Sequence, residues 1–178
     1  REEGRGNRTV IVVDIRESET AKLADVFVQV KPGGDFALFN ALRACVRGER
    51  DVIPETVASV ERNVIFKLAD ILLSAKFGSF FTGIGLTQSR GKYKNVRAGI
   101  ELVDELNRHT KYTLTPLRGH WNVDGTNQMF SLAAGYPYAV DYSRGIVHYN
   151  PGETSGVDIL ANHEADAVLI IGTDLGAH

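Results

Sequence analysis

No disulfide bond can form within this chain, because its 178 residues contain a single cysteine, Cys45. One thiol suits a reducing compartment, so we expect a cytoplasmic protein. No run of apolar residues approaches the roughly 20 that a membrane-spanning helix needs. The 20 basic and 22 acidic residues leave a net charge of −2. This balance argues against a nucleic-acid-binding protein that relies on bulk positive charge.

Several familiar motifs of catalysis and nucleotide binding are also missing. Neither the GxGxxG pattern of dinucleotide-binding proteins nor the GxxxxGK[ST] pattern of P-loop proteins occurs. The five histidines show no HxxxH or HExxH spacing, so the sequence predicts no metal-ligating residues. Ser143 does not lie in a GxSxG segment, which argues against the nucleophile elbow of serine hydrolases.

Apolar runs that alternate with helical patterns dominate the rest of the chain. The runs predict strands over residues 9–13, 26–30, 77–81, 112–115 and 167–171. Apolar spacing predicts long helices over residues 35–48, 54–72 and 96–106, and short ones near 18–25, 127–134 and 157–161. This order is typical of βαβ units. We therefore expect one α/β domain over residues 1–178, with a mostly parallel, doubly wound Rossmann-like sheet and helices on both faces.

The unusual residues cluster where the predicted strands end. Ligands of open α/β sheets bind outside the carboxyl ends of the strands. The residues found there include Asp14, Arg16, Gly33, Asp35, Gly83, Gln88, Arg118, Gly172 and Asp174. Glycine lets backbone amides approach a ligand, arginine binds phosphate, and a carboxylate can accept from ribose or guanine. The pattern suits a nucleotide-bearing ligand, although ordinary turns would use many of the same residues.

Several of these loops, taken in order, also carry a family resemblance. They are VVDIR at 12–16, TAKLAD at 20–25, KPGGD at 31–35, GIGLTQ at 83–88 and PLRGHWNVDG at 116–125. These segments resemble the cofactor domain of molybdopterin oxidoreductases of the formate dehydrogenase and dimethyl sulfoxide reductase type. Within that group, the chain is similar along its whole length to B subunits of formylmethanofuran dehydrogenase. It departs from their pattern at Leu175, where proline is expected, and from the wider group at Gly34, where threonine is common.

The resemblance implies an enzyme that reduces carbon dioxide to formate at tungsten or molybdenum. The metal is held by molybdopterin guanine dinucleotide, and formate is condensed with methanofuran in a partner subunit of the complex. By similarity, Arg118 is the active-site arginine, which orients carbon dioxide or formate. The cofactor-binding residues by similarity are Asp14, Arg16, Gly33, Asp35, Gly83, Gln88, Gly172 and Asp174.

The resemblance also implies a missing part. The family ligates its metal through a cysteine or selenocysteine with a neighbouring histidine, and no segment here matches that pair. Cys45 instead follows a helical apolar stripe, which predicts a core thiol. The chain begins at Arg1 rather than methionine, so we expect a fragment of a larger subunit. Such a fragment would be inactive alone and would carry no cofactor.

Two other functions remain open at this point. The first is a non-redox scaffold, as in the related B subunit of formyltransferase/hydrolase complexes. The second is a plain nucleotide-binding α/β domain, such as the central domain of thiamine-dependent enzymes. In that last case Arg118 would contribute only packing or surface charge.

Overall fold

The computed structural model describes residue 6, residues 8–119 and residues 122–172. The chain divides into two units, Arg1–Leu117 and Arg118–His178. The prediction of one domain over residues 1–178 stays a prediction, since two such units can also be lobes of one domain.

The first unit begins with a parallel strand pair joined by a short helix. β1 (Ile11–Asp14) lies beside β2 (Val26–Gln29), with Asp14 opposite Gln29. The helix α1 (Glu19–Lys22) lies between them in the chain. The hydroxyl of its N-cap residue, Ser18, accepts a hydrogen bond from the backbone N–H of Ala21. Because the strands are parallel, their carboxyl ends meet at one edge, as the sequence predicts.

The next helix forms where the apolar spacing places it. α2 (Asp35–Val46) starts directly after the turn that follows β2. Gly48, two residues beyond the helix, has a φ of 85°, the left-handed conformation that glycine adopts most easily just past a helix end. Cys45 is buried on this helix, and burial raises the pKa of its thiol. The prediction of a core thiol is confirmed.

The long helix predicted from Pro54 is wrong in its first part. A 3₁₀ turn (Arg50–Val52) is followed by β3 (Thr56–Val57), β4 (Val60–Glu61) and α3 (Arg62–Ser74). β3 and β4 pair antiparallel across Ala58 and Ser59, which both have positive φ angles. Such a two-residue turn suits a hairpin, and β-branched threonine and valine favour extended backbone over helix. The helical apolar spacing holds only from Arg62 onwards.

The second parallel pair closes the first unit. β5 (Phe77–Thr82) is followed by α4 (Gly85–Gln88), α5 (Tyr93–Leu106) and β6 (Lys111–Pro116). β5 and β6 pair in parallel, with Gly78 opposite Tyr112. The Tyr112 ring lies over Gly78, and its hydroxyl donates to the carbonyl oxygen of Leu72 at 2.7 Å. The ring thus covers the gap that glycine leaves in the strand.

The core of the first unit lies between its helices. Leu38, Ile65, Leu102 and Leu106 are fully buried on α2, α3 and α5. Arginines of α2 also face glutamates of α5 across this interface. Arg43 contacts Glu101 and Arg47 contacts Glu105, each at 2.5 Å, so the two helices are held in register by apolar packing and charge together.

Glu105 should make this interface sensitive to acid. The hydrogen bond from Arg47 holds the pKa of Glu105 below its usual value of 4.5. Ionised Glu105 therefore stabilises the folded state above about pH 4.5, and this contribution is lost as the pH falls through the lowered pKa. We expect Glu105→Gln to lower the unfolding temperature at neutral pH, with the difference from wild type shrinking in acid.

The measurement is the thermal unfolding temperature of the full-length protein across pH. Hydrogen exchange at the amides of α5 shows in parallel whether the loss of stability lies at this helix. Asp104→Asn is the matched control, because Asp104 on the same helix is exposed and 3.8 Å from Arg108. Exposed pairs of this kind contribute little. Parallel pH curves for Glu105→Gln and wild type would contradict the prediction.

Within its described residues, the second unit contains two helices and a short hairpin. Its elements are α6 (Val123–Ala134), β7 (Val140–Asp141), β8 (His148–Tyr149) and α7 (Gly156–Ala161). β7 and β8 pair antiparallel. The Tyr136 and Tyr149 rings stack at 4.6 Å, and buried Thr154 donates to the carbonyl oxygen of Ala139. The irregular aromatic stretch therefore packs against its own hairpin.

The fifth predicted strand is wrong. Residues 167–171 form no strand, and the side chains of Leu169 and Ile171 are 84% and 79% exposed. An apolar run becomes a strand only when another strand pairs with it, and within the described ranges this run has none. The α/β class itself is confirmed, with short parallel and antiparallel strand pairs. None of the helices in the described part is long and apolar enough to span a bilayer.

Candidate functional site

Two predicted site residues, Asp14 and Asp35, lie at the same strand edge of the first unit. Asp14 ends β1, and its Oδ1 accepts hydrogen bonds from the backbone N–H groups of Ile15 and Arg16, at 2.6 and 3.4 Å. The turn that follows β2 brings Asp35 to this edge as the first residue of α2. The carboxylate of Asp14 thus shapes the backbone that carries Arg16.

The electrostatics of Asp35 favour a ligand at this edge. Burial raises the pKa of Asp35, and the negative charge of Asp14 raises it further. Two carboxylates near each other are each stabilised by a donor or a cation placed between them. A ligand that offers N–H or O–H groups would supply such donors.

The glycines of this turn are required by its geometry. Gly33 has a φ of 75°, which strains any residue with a side chain. At Gly34, an added Cβ would lie 2.5 Å from the Cβ of Ala58 in the β3–β4 hairpin. The same hairpin holds the turn, because the backbone N–H of Lys31 donates to the carbonyl oxygen of Ala58 at 2.9 Å. This close approach explains why glycine stands where the resemblance predicts threonine.

Arg90 lies beside this turn, although no motif in the sequence singles it out. A Cβ placed on Gly33 would be 3.6 Å from the Cβ of Arg90, and Arg90 is exposed. Its loop is fixed by Asn95, fully buried on α5, whose Nδ2 donates to the carbonyl oxygen of Leu86 and to the hydroxyl of Ser89, both at 2.9 Å. No short-range pattern links residues so far apart in sequence, so only the fold could reveal this contact.

Two other predicted residues of the first unit, Gly83 and Gln88, follow β5. Gly83 has open space beside its Cα, which leaves the backbone accessible. Gln88 ends α4 and is exposed. The structure therefore places both in the segment that leads to Arg90. Their role in binding stays a prediction.

In the second unit, Arg118 is paired with an acid in the first turn of α6. Its Nε lies 2.9 Å from Oδ1 of Asp124, and both side chains are about half exposed. An open cavity of about 520 Å³ adjoins the pair. Its lining residues are Arg118, Asp124, Asn127, Gln128, Ser131 and Leu132. The arrangement places an arginine, paired with an acid, beside this open cavity.

The remaining predicted residues divide into described and undescribed positions. Gly172 belongs to the second unit, is exposed and has a φ of 68°. Asp174 lies outside the described residues. Across the residues that the structure describes, no group of three histidine, cysteine or acidic side chains is suited to hold a metal ion.

Sequence comparison gives relatives that match the chain from end to end. The chain is 46% identical over all 178 residues to the B subunit of tungsten-containing formylmethanofuran dehydrogenase 2 of Methanocaldococcus jannaschii. It is 45% identical, over the same length, to the protein of that name from Methanococcus maripaludis. This chain is a homologue of the B subunit of formylmethanofuran dehydrogenase. It spans 41% of the length of each of these two relatives.

More distant relatives extend the picture. Formate dehydrogenase H of Escherichia coli is 27% identical over 160 residues, which is 75% of this chain and 22% of that enzyme. No protein-family model matches the chain. Among solved structures, the formyltransferase/hydrolase complex of Methylorubrum extorquens with methylofuran has a chain that matches with a TM-score of 0.62 at 18% identity. The match covers 89% of this chain and 40% of that one, and shows a shared fold. The B-subunit relatives and formate dehydrogenase H are dehydrogenases by name, which supports an oxidoreductase family.

Proposed function

We propose that this chain is part of the B subunit of a tungsten- or molybdenum-containing formylmethanofuran dehydrogenase. It would contribute to the binding of the pterin guanine dinucleotide cofactor and of the one-carbon substrate. The observation that carries the proposal is the 46% identity over the whole chain to a tungsten-containing B subunit. The wider complex, in which formate is joined to methanofuran elsewhere, belongs to the same proposal.

The donor set of the first unit fits a dinucleotide better than a bare metal ion. Asp14 and Asp35 can accept from the N–H edge of guanine or from ribose hydroxyls. Arg16 and Arg90 can pair with phosphate oxygens, for which the guanidinium fork is well shaped. Gly33, with its left-handed backbone, lets the ligand approach the chain closely. When bound, the metal–pterin group would supply the exchange of two electrons with the one-carbon substrate.

The fold around this edge supports the same proposal. We infer that the parallel pairs belong to a doubly wound, Rossmann-like sheet with helices on both faces. Both long pairs are parallel, and helices lie in the connections between their strands. In such sheets the carboxyl edge is the ligand-binding edge. Asp14, Asp35 and Gly83 all lie at or just beyond the carboxyl ends of strands.

Arg118 would act on the substrate in the second unit. Carbon dioxide becomes formate when it gains two electrons and one proton, and negative charge develops on its oxygens. A guanidinium that is already oriented stabilises this charge without reorganising during the reaction. The planar fork of Arg118 can also orient the two oxygens of formate in the reverse direction.

The proposal is tested by metal and pterin analysis of the purified complex that contains the full-length B subunit. We expect tungsten or molybdenum in stoichiometric amount, together with pterin, and reduction of carbon dioxide with a reduced dye as electron donor. A full-length complex without metal would overturn the proposal.

Asp35 provides a sharper test of the cofactor edge. We expect Asp35→Asn to weaken retention of the pterin dinucleotide about 10- to 100-fold, because a charged hydrogen-bond acceptor is removed. Metal and pterin content after extended dialysis gives the measurement. The matched control is Asp51→Asn, since Asp51 is an exposed acid of the 3₁₀ turn. Equal cofactor loss in both variants would show that Asp35 does not bind the cofactor.

A second function is favoured by the structural match. The formyltransferase/hydrolase complex shares the fold, so this chain could serve as a scaffold without redox chemistry. The proposal of a redox enzyme is better supported, because identity is 46% to the dehydrogenase relative and 18% to the chain of the formyltransferase/hydrolase complex. Formyl transfer by a metal-free complex would decide for the scaffold.

A further inference from the structure

We propose that Asp124 is a positioning residue for Arg118, fixing its guanidinium so that the two terminal nitrogens are free to bind the one-carbon substrate. This inference rests on the proposed role of Arg118. It adds a residue of α6 to the substrate site. Asp124 lies in the segment 116–125 that resembles the family motif, at a position where that motif specifies no residue.

The geometry of the ion pair supports this role. Oδ1 of Asp124 lies 2.9 Å from Nε of Arg118, the inner nitrogen of the guanidinium. Arginine has one N–H at Nε and four on its two terminal nitrogens. An acid held against Nε leaves the terminal edge for a second partner. That edge matches the spacing of the two oxygens in formate.

Asp124 can hold a cation in place because its own backbone is tightly fixed. Asn122, just before α6, has a φ of 55°, and its carbonyl oxygen accepts from the backbone N–H of Thr126 at 3.0 Å. A Cβ on Gly125 would lie 2.2 Å from Oδ1 of Asn122, so the first turn of the helix is closely packed at this point. Asp124 lies between these two constraints.

The other residues that line the cavity offer Arg118 no substitute partner. Apart from Asp124, the lining residues on α6 are Asn127, Gln128, Ser131 and Leu132, none of them charged. The Ser131 hydroxyl is already committed, because it donates to the carbonyl oxygen of Asn127 at 2.7 Å. Removing Asp124 would therefore leave the guanidinium without an acid among these lining residues, free to rotate.

Stability does not account for the pair. Both side chains are about half exposed, and ion pairs in that environment contribute little to folding. A purely structural role would thus predict almost no effect of the substitution on activity or unfolding. A positioning role predicts a kinetic effect with unchanged unfolding, which makes the two distinguishable.

The test is a double-mutant cycle in the purified complex with the full-length B subunit. Asp124→Ala should lower kcat/KM for carbon dioxide reduction about 10- to 100-fold. Metal content, pterin content and unfolding temperature should stay at wild-type values. In the Arg118→Ala background, Asp124→Ala should cost nothing further, because its effect passes through Arg118. Asp124→Glu should restore part of the rate.

Free guanidinium ion supplies an independent readout. In Arg118→Ala, added guanidinium hydrochloride at millimolar concentration should restore part of the activity, because Asp124 can hold the ion where the side chain stood. The double variant should show no such recovery. Asp104→Asn, an exposed paired acid of α5, serves as the control and should behave as wild type.

The outcomes separate this inference from the proposed function. Additive losses in the double variant would overturn the inference, as would wild-type kinetics in Asp124→Ala alongside a strongly impaired Arg118→Ala. Recovery by guanidinium without Asp124 would overturn it as well. A wild-type complex that lacks metal or does not reduce carbon dioxide would instead overturn the proposed function, and the inference with it.

Discussion

Arg118→Ala is expected to lower the rate of the proposed carbon dioxide reduction by about 100- to 1,000-fold, the usual cost of removing one preorganised donor from a site of developing negative charge. The tungsten or molybdenum and the pterin should remain bound. Arg118 belongs to the second unit, whereas Asp14 and Asp35, which are proposed to bind the cofactor, belong to the first. The loss should therefore appear in the rate while cofactor content is unchanged.

The measurement compares initial rates in the purified complex with metal and pterin content measured on the same samples. Arg118→Lys is the informative companion variant. Lysine keeps the positive charge but cannot bind two oxygens through a planar fork, so its rate should fall between those of wild type and alanine. Wild-type rates in Arg118→Ala would favour the plain nucleotide-binding domain, in which this residue contributes only surface charge.

Gly78→Ala should be among the most destabilising single substitutions in the first unit, at about 3 kcal/mol. The new Cβ would lie 1.9 Å from Cε1 and 2.3 Å from Cζ of Tyr112. The ring cannot move aside easily, since it is buried and its hydroxyl is bonded to the Leu72 carbonyl. Either the ring leaves the core or the β5–β6 pair separates. Both outcomes expose apolar surface.

Gly99→Ala is a matched control with the opposite expectation. An added Cβ at Gly99, in α5, would meet the Phe39 ring at 3.5 Å, an ordinary contact. Alanine also favours helix over glycine by about 1 kcal/mol. Denaturant unfolding of the full-length protein, with hydrogen exchange at the amides of β5 and β6, measures both variants. A Gly78→Ala protein as stable as Gly99→Ala would show that the ring yields, and the prediction would be wrong.

The elements that sequence periodicity captured are those with strong local signals. β1, β2 and β5 are rich in apolar or aromatic residues, β6 alternates polar residues with Tyr112 and Leu114, and α2 and α5 repeat apolar residues at helical spacing, so local pattern and fold agree. The helix predicted from Pro54 failed where a local pattern has two solutions. Thr56–Glu61 can continue a helical stripe or form a hairpin, and the positive φ angles of Ala58 and Ser59 decide for the hairpin.

The candidate site shows the same division. Sequence alone placed Asp14 and Asp35 at strand ends, and parallel pairing brings those ends to one edge. Arg90 and Asp124 were missed for different reasons. Arg90 reaches the turn at Gly33 only through tertiary packing. Asp124 lies inside the segment that carries the resemblance, at a position where the motif specifies no residue, and its ion pair with Arg118 became visible only in three dimensions.

The contact between Gly34 and Ala58 has a consequence for the history of this family. Because a side chain at position 34 would collide with the hairpin, the two positions cannot drift independently. In a chain with threonine at position 34 we expect both the hairpin around Ala58 and the turn at Lys31 to be displaced, because an added Cβ would lie 2.5 Å from the Cβ of Ala58 and 2.8 Å from the carbonyl oxygen of Lys31. A lineage that keeps the hairpin in this place must keep glycine. We therefore expect the residues at positions 34 and 58 to change together among related chains, although the proposed substrate site includes neither of them.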